Sequence, residues 1–519
     1  MSGLFGEALK PVAPNWLKSY WPLFLAVAGL LAFTIQNPIL GLSSIVGFFQ
    51  RAGTPAWPPL AVLMESIYQT VFMAVVGTSL GFLIAFIVAC EITLTQNRRL
   101  RLILGIPVLG LRGLPDLVAA LIISQIIGVG LVAGTLAISL GTIGVSTKLI
   151  SNIFNKSSSD ARLWLERAGN GKRRAFYIGE LPQHLRELRA QFFFRMEINF
   201  RIATIIGIAG GGGLGLILRI NLGQFDFSAS SAIILVLAVV ILFTELLTRF
   251  AIRGKGPHSR AGTRLSSSWI LAFPAFWLTT SVLLVFWELQ RTEVRFDVAQ
   301  ATRTLGQLLQ PDFFSQGFPL LQGLSETLIM AILGSLVAFP VAVMLGALSS
   351  TAISAPKGLG FLIRVLLGAL RSIPTAVLGL ILVFEMGLGF GTGLFALSLG
   401  STLFLSRLFR DAFDSKAKES VDSFVKAGAT SYQGLIAVMR GQLRSRLFEL
   451  ALFTVDFNLR YTVVLGLIGA GGLGTVISSS LRVMDLGTAS AATLIIILLL
   501  FGLEFAANRR HSLRSVTAH

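Results

Sequence analysis

Two stretches of otherwise apolar sequence carry charges at a spacing chemistry can use. Glu197 and Arg201 stand four residues apart with Asn199 between them, and Asp456, Asn458 and Arg460 repeat the arrangement. On a helix, side chains at i and i+4 share a face, so each acid can meet its arginine. Ionisable groups in an apolar helix are costly, and they are there either to neutralise each other or to meet a charged solute. A self-neutralising pair accounts for the acids; the arginines can still present positive charge to an anion. Each stretch then runs into glycine, Gly210 to Gly215 around Leu214 in the first and Gly469 to Gly474 in the second, with Asp226 and Asp485 beyond. Such clusters permit a broken helix. Backbone N–H groups opened at a break can cradle an oxyanion, although close helix packing explains glycine equally well. The candidate path residues are Glu197, Asn199, Arg201, Gly212, Gly213, Asp456, Asn458, Arg460, Gly471 and Gly472.

The elements that must hold these residues are membrane spans. Of 519 residues, 54% are apolar and only 13% charged, and the mean hydropathy is +0.77. So few charges cannot solubilise a chain of this length, and lipid must face much of it. Apolar runs predict six spans in the first half, at 20–36, 67–92, 102–127, 131–152, 190–217 and 229–250. Six more follow at 269–288, 325–349, 362–386, 389–407, 447–474 and 487–507. The net charge of +18 sits in basic segments between spans: Arg98-Arg99-Leu100-Arg101, Lys172-Arg173-Arg174, Arg249 to Arg264, and the tail with Arg509, Arg510 and Arg514. All four fall on one side if every span crosses, which is the bias of cytoplasmic loops and not of nucleic-acid binding. Both termini are predicted cytoplasmic, in a cell (inner) membrane. The single cysteine, Cys90, allows no disulfide within the chain, and four scattered histidines offer no metal-ligand spacing.

The chain also repeats itself. Arg112-Gly113-Leu114-Pro115 recurs as Arg371-Ser372-Ile373-Pro374, Gly128-Val129-Gly130 as Gly387-Leu388-Gly389, and Ser139-Leu140-Gly141 as Ser398-Leu399-Gly400. Ala168-Gly169 recurs as Ala427-Gly428, Asn199-Phe200-Arg201 as Asn458-Leu459-Arg460, and Gly212-Gly213-Leu214-Gly215 as Gly471-Gly472-Leu473-Gly474. Each pair is 259 positions apart; upstream, Thr70 to Ala74 matches Thr327 to Ala331 at 257. Helix packing of single glycines does not explain a fixed register over this length. Both halves start from the same side, so the repeat is parallel, about an axis along the membrane normal. The predicted organisation is a first half at 1–253, a basic cytoplasmic linker at 254–268 and a second half at 269–519.

Between its fourth and fifth spans each half has a long loop. The first reads Leu165-Glu166-Arg167-Ala168-Gly169 and continues to Gly179-Glu180-Leu181-Pro182; the second has Asp422, Lys426-Ala427-Gly428-Ala429 and runs to Arg440-Gly441. A helix, a glycine break and a second helix make a rigid lever, although a plain helical hairpin has the same outline. The loop resembles that of ABC importer permeases, Glu-Ala-Ala, three residues, Gly, nine residues, Ile, any residue, Leu-Pro. Gly169 to Leu181-Pro182 fits the spacing, with Gly179 at the Ile position and Leu163 where the acid belongs. The second half keeps Asp422 and Gly428 but has Arg440-Gly441 in place of Leu-Pro. The order of acid, Asn, Arg, small residues and a later Asp is similar to that of phosphonate, phosphite and phosphate importer permeases, here as two such permeases fused.

The resemblance implies an all-α membrane protein of about twelve spans in two six-helix halves, of the type I importer permease class. It implies transport of a phosphorus oxyanion into the cytoplasm, two ATP-binding cassette subunits and an extracytoplasmic substrate-binding protein. The coupling residues it implies are Glu166, Ala168, Gly169, Leu181, Pro182, Asp422, Ala427 and Gly428. The chain lacks the Gly-x-x-x-x-Gly-Lys-[Ser/Thr] phosphate loop, since Gly169-Asn170-Gly171-Lys172 is too short. No enzyme activity, cofactor or metal is expected of this chain, with ATP used by its partners. A permease for another small solute such as an amino acid, or a transporter driven by an ion gradient, remains open at this level. The charge pattern makes one topological prediction: a cysteine placed at Gly256 is inaccessible to an impermeant thiol reagent added outside, and rapid labelling in intact cells would reverse the orientation.

Overall fold

The computed structural model describes residues 38–156, 160–252, 279–284, 286–288, 290, 298–351, 357–414, 418–441 and 443–516. Among them the chain is helical, without strands. The first repeat comprises α1 (Pro38–Ala52), α2 (Leu60–Leu94), α3 (Arg98–Gly113), α4 (Asp116–Ile127), α5 (Leu131–Lys156), α6 (Asp160–Arg167), α7 (Lys172–Ala175), α8 (Leu181–Ile206), α9 (Gly213–Gly223) and α10 (Phe227–Ile252). After α11 (Val298–Leu308), the second repeat follows as α12 (Gly317–Ser349), α13 (Lys357–Arg371), α14 (Thr375–Met386), α15 (Phe390–Ala412), α16 (Lys418–Lys426), α17 (Ser431–Arg440), α18 (Arg444–Leu467), α19 (Leu473–Arg482) and α20 (Leu486–Val516). The starts of α4, α5 and α10 lie 259 positions before those of α14, α15 and α20. The repeat read in the sequence is thus a repeat of elements.

Seven described helices are long and apolar enough to cross a membrane, and up to ten spans result if each bent pair is one. The expected span 20–36 lies outside the described residues, and of 269–288 only a helix at Thr279–Glu288 is described. Three expected spans are broken. α3 meets α4 at 101°, α13 meets α14 at 77°, and the helix around α8 meets α9 at 56°. The first break follows from proline. Leu114, just before Pro115, is held in extended backbone, because the proline ring disfavours the helical region for its predecessor; Ile373-Pro374 stands at the matching place.

The described residues fall into two compact units, each drawing on both repeats. One contains the described residues up to Gly47 with Ser325–Gly368 and Leu378–Gly472; the other contains Phe48–Leu324, Ala369–Val377 and the chain from Leu473. In the latter, α2, α5 and α8 pack together, with α4 on α5 and α10 on α8. Asn199 on α8 is fully buried, and its amide donates to Thr78 on α2 at 2.7 Å and Thr142 on α5 at 2.9 Å. In the other unit Asn458 on α18 donates to Ser335 on α12 at 2.9 Å and accepts from Ser401 on α15. One amide therefore ties three helices in each repeat, where a buried polar group must find partners. Asn199→Ala and Asn458→Ala are each expected to cost about 1–3 kcal/mol, by stranding the hydroxyls they bridge. Thermal unfolding in detergent measures this, and an unchanged midpoint would show that the amides do not tie the helices.

Candidate functional site

The paired charges form as their spacing requires. Arg201 Nη2 lies 3.3 Å from Glu197 Oε1, with both side chains largely buried at 12% and 5% exposure. Arg460 makes a two-pronged pair with Asp456, Nε to Oδ2 at 3.2 Å and Nη2 to Oδ1 at 3.3 Å, and both side chains are 27% exposed. The second repeat thus presents its pair more openly than the first. Asn199 and Asn458 sit on another side of their helices, because two residues of α-helix turn about 200°. Their amides are engaged in holding the helices together.

The glycine breaks are built to order. In the first repeat α8 ends in a wide turn at Gly207–Gly211 before α9 resumes at Gly213. The N–H groups freed at the start of α9 are taken by α2: Gly213 N donates to Gln69 Oε1 at 2.7 Å and Leu214 N to Thr70 Oγ1 at 2.9 Å. Gln69 in turn donates to Glu65 at 3.1 Å. In the second repeat Gly472 N donates to Glu326 Oε2 on α12 at 2.7 Å. Gly213 and Gly472 need to be glycine. Their φ values are +73° and +78°, and a Cβ would stand 2.5 Å from Thr70 Oγ1 and 2.7 Å from Thr327 Oγ1. These donors, open to an oxyanion in the sequence reading, are satisfied by side chains. Gln69, Glu326, Thr70 and Thr327 were not candidates from sequence; the match of Thr70 to Thr327 was their signal. Across the break, Arg219 on α9 donates to the Ile208 carbonyl at 3.0 Å, and its side chain is exposed.

A third feature occurs in the first repeat alone. Arg195 on α8 is buried, with Nη2 3.6 Å from Asp116 Oδ1 at the start of α4. The positions 259 later are Thr454 and Thr375.

The long loops carry matched helix ends. After α6, Gly169 N donates to Glu166 O at 3.1 Å and Asn170 N to Leu165 O at 3.0 Å. After α16, Gly428 N donates to Val425 O and Ala429 N to Phe424 O, both at 3.0 Å. Both are Schellman caps, which place the glycine in the left-handed region; φ is +85° at Gly169 and +94° at Gly428. Arg162 braces the first loop through Glu166 and Glu180, each at 2.9 Å. Burial works against the Arg162 charge, but the two carboxylates prevail and its pKa is raised. Leu181 is buried with Phe176, Phe154 and Ile150, anchoring the loop on α2 and α5, and Pro182 stands exposed in the first turn of α8. In the second loop Val421, Leu435 and Val438 pack on Phe409 and Phe413 of the α15 end. Asp422, Ala427 and Gly428 are exposed, as are Ala168 and Gly169. Trp164, 68% exposed, leaves a large apolar surface on α6.

A family model for the binding-protein-dependent transport system inner membrane component matches the chain twice, over residues 77–256 and 338–510. The chain belongs to this family. It is a multi-pass membrane permease subunit with the type I ABC permease fold, its domain present twice. Such permeases work with a substrate-binding protein and an ATPase. A phosphate-import permease protein of Mycolicibacterium smegmatis is 26% identical over 481 residues, covering 89% of this chain and 88% of the relative. A phosphite transport system permease protein of Stutzerimonas stutzeri is 32% identical over 42% of this chain and 79% of its own length. A putative cryptic phosphonate transport system permease protein of Escherichia coli is 28% identical over 22% of this chain and 93% of its own length. No solved structure matches the permease.

The unequal exposure of the two charge pairs ranks their arginines. Arg460→Gln is expected to lower transport more than Arg201→Gln, while both complexes assemble. The fourfold variant Glu197→Gln, Arg201→Gln, Asp456→Gln, Arg460→Gln is the control, because it strands no charge. If it assembles and transports normally, the pairs are scaffolding and not part of the path.

Proposed function

We propose that this permease carries a phosphorus oxyanion, namely phosphate, phosphite or a phosphonate, into the cytoplasm, with ATP hydrolysed by two cassette subunits. The observation that carries this reading is the pair of matched loops, each capped by the same left-handed glycine. Two equivalent docking elements fit two ATPase subunits. The substrate class is supported by the names of three relatives, all permeases for phosphorus oxyanions. In this reading the repeat halves are 1–253 and 269–519 with the linker 254–268 between them, and both termini are cytoplasmic. An extracytoplasmic binding protein delivers the anion.

Each part of the chain then has a task. Gly169 and Gly428 set the angle of the levers; Glu166, Ala168, Asp422 and Ala427 lie beside them, and Leu181-Pro182 roots the first lever on α8. Trp164 provides the first lever with an apolar anchor of the kind that dominates protein interfaces. Arg201 and Arg460 lower the cost of dehydrating the anion, each within its own half. Glu197 and Asp456 temper that field, since an unpaired arginine would hold the anion too tightly for release. Gly212, Gly213, Gly471 and Gly472 give the broken helices their freedom to change angle.

Reconstituted with its ATPase and binding protein, the permease is expected to take up radiolabelled phosphate or phosphite only when ATP is supplied. Uptake driven by a proton or sodium gradient alone would overturn the reading. Gly169→Pro and Gly428→Pro are expected to separate ATP hydrolysis from uptake, because proline holds φ near −65° and cannot adopt the cap. The change at Gly169 should harm assembly more, since the first loop has the fuller motif. Unimpaired, equal ATPase stimulation in both would remove the coupling role.

A further inference from the structure

Arg371 ends α13 at the break before Pro374, and its side chain is only 7% exposed. Its guanidinium donates to the carboxylate of Glu245 on α10, which is 3% exposed. The two lie in the same compact unit although they belong to opposite sequence repeats. Glu245 stands within a helix long and apolar enough to span the membrane, between the buried Thr244 and Thr248. A carboxylate at such a place needs a specific partner, and it finds one in the hinge of the other repeat's broken span.

The sequence repeats this couple in reverse. Arg112 lies 259 positions before Arg371, and Glu504 lies 259 after Glu245. In the same unit, α3, which carries Arg112, packs against α20, which carries Glu504. Gly113, beside Arg112, faces Ile497 so closely that a Cβ would stand 3.1 Å from it. Ile497 is seven residues, about two helical turns, before Glu504 on α20. Not every such charge is kept: Arg195 and Asp116 have threonines at the matching positions, and Glu385 has Ile126.

We propose that Glu245 and Arg371 are positioning residues for transport. The last helix of the first repeat holds the hinge of the broken span in the second. The reasoning is mechanical. α10 follows directly from α9, the short helix beyond the glycine break, so a change of angle there moves Glu245. Arg371 stands where α13 turns into α14, so the carboxylate hands that movement to the opposite repeat. An apolar contact of the same size would pack as well or better. What the ion pair adds is a fixed register between two particular points. The clamp makes the two halves change together.

The inference rests on ATP-driven transport and is independent of which anion is carried. The test uses the full permease with its ATPase and binding protein in proteoliposomes. The ratio of stimulated to basal ATP hydrolysis and the phosphate moved per ATP are measured for the wild type first. Glu245→Gln and Arg371→Gln are expected to lower both ratios about five-fold or more, the lower range of a site-to-site coupling. The exchanged pair Glu245→Arg with Arg371→Glu is expected to restore them to within about two-fold, since the pair is remade in reverse. Because a stranded charge can block assembly, Glu245→Met with Arg371→Met is measured alongside; it removes both charges of the pair together. This variant should assemble with poor coupling. If it assembles and couples as the wild type does, the pair is scaffolding and the proposal falls. A transport-independent measurement separates failure of the clamp from failure of the transport reading. With a protease site placed in 254–268 and cleaved, the temperature at which the halves part should drop in Glu245→Arg and recover in the exchanged pair. No drop would overturn the clamp whatever the chain transports.

Discussion

Hydrocarbon offers no hydrogen bonds, so a helix that breaks inside it must have its exposed backbone groups satisfied by the protein. That requirement governs the rest of this structure. The breaks after Ile206 and Leu467 free N–H groups at the starts of α9 and α19, and side chains from α2 and α12 accept them. The cap in turn fixes which faces of α2 and α12 look toward the breaks. It explains why glycine stands where Thr70 and Thr327 crowd the backbone. It also makes the broken helices defined joints and not merely weak points. A joint can change angle at low cost only if the atoms around it remain paired as it moves, and a side-chain acceptor can follow a backbone donor where a helical carbonyl cannot.

The same economy governs the charges. Four intramembrane arginines meet an acid: Arg201 with Glu197, Arg460 with Asp456, Arg195 with Asp116 and Arg371 with Glu245. The pairs differ in reach. Two are one-turn pairs on a single helix, one joins two elements of a repeat, and one joins opposite repeats. The first kind shapes a local field; the last transmits displacement. At the breaks the capping residues also divide. Gln69 is an amide with Glu65 a turn before it, whereas Glu326 is itself the acid and Gln322 stands a turn before. The order of amide and acid is inverted between the repeats.

Much of this was legible in the sequence. The fixed offset gave the repeat, the apolar runs gave the spans, and the i,i+4 spacing gave both charge pairs, all because these depend on local periodicity. The loop glycines were legible for the same reason: a Schellman cap is a property of six consecutive residues. The breaks at Pro115 and Pro374 carried their own signal in the pre-proline rule, and reading 102–127 and 362–386 as straight spans passed over it. Asn199 and Asn458 entered the list of path residues because they lie between an acid and an arginine. Helical rotation already places them on another side, and the structure engages them in tying helices together. The caps and the Arg371–Glu245 pair were out of reach for a different reason. Their partners are more than a hundred residues apart, and no local pattern says which of several polar residues will be opposite which.

The buried pair of Arg195 with Asp116, present in one repeat and replaced by Thr454 and Thr375 in the other, has a consequence for how such a molecule can be assembled. If the halves were separate, identical polypeptides, every substitution would occur twice, and a charge tolerated on one side would have to be tolerated on both. Joining them in one chain fixes the stoichiometry at one of each and forbids a half from pairing with its own kind. Each side is then free to specialise, so long as the other compensates. The permease is, in effect, an obligate heterodimer with a peptide bond for its guarantee.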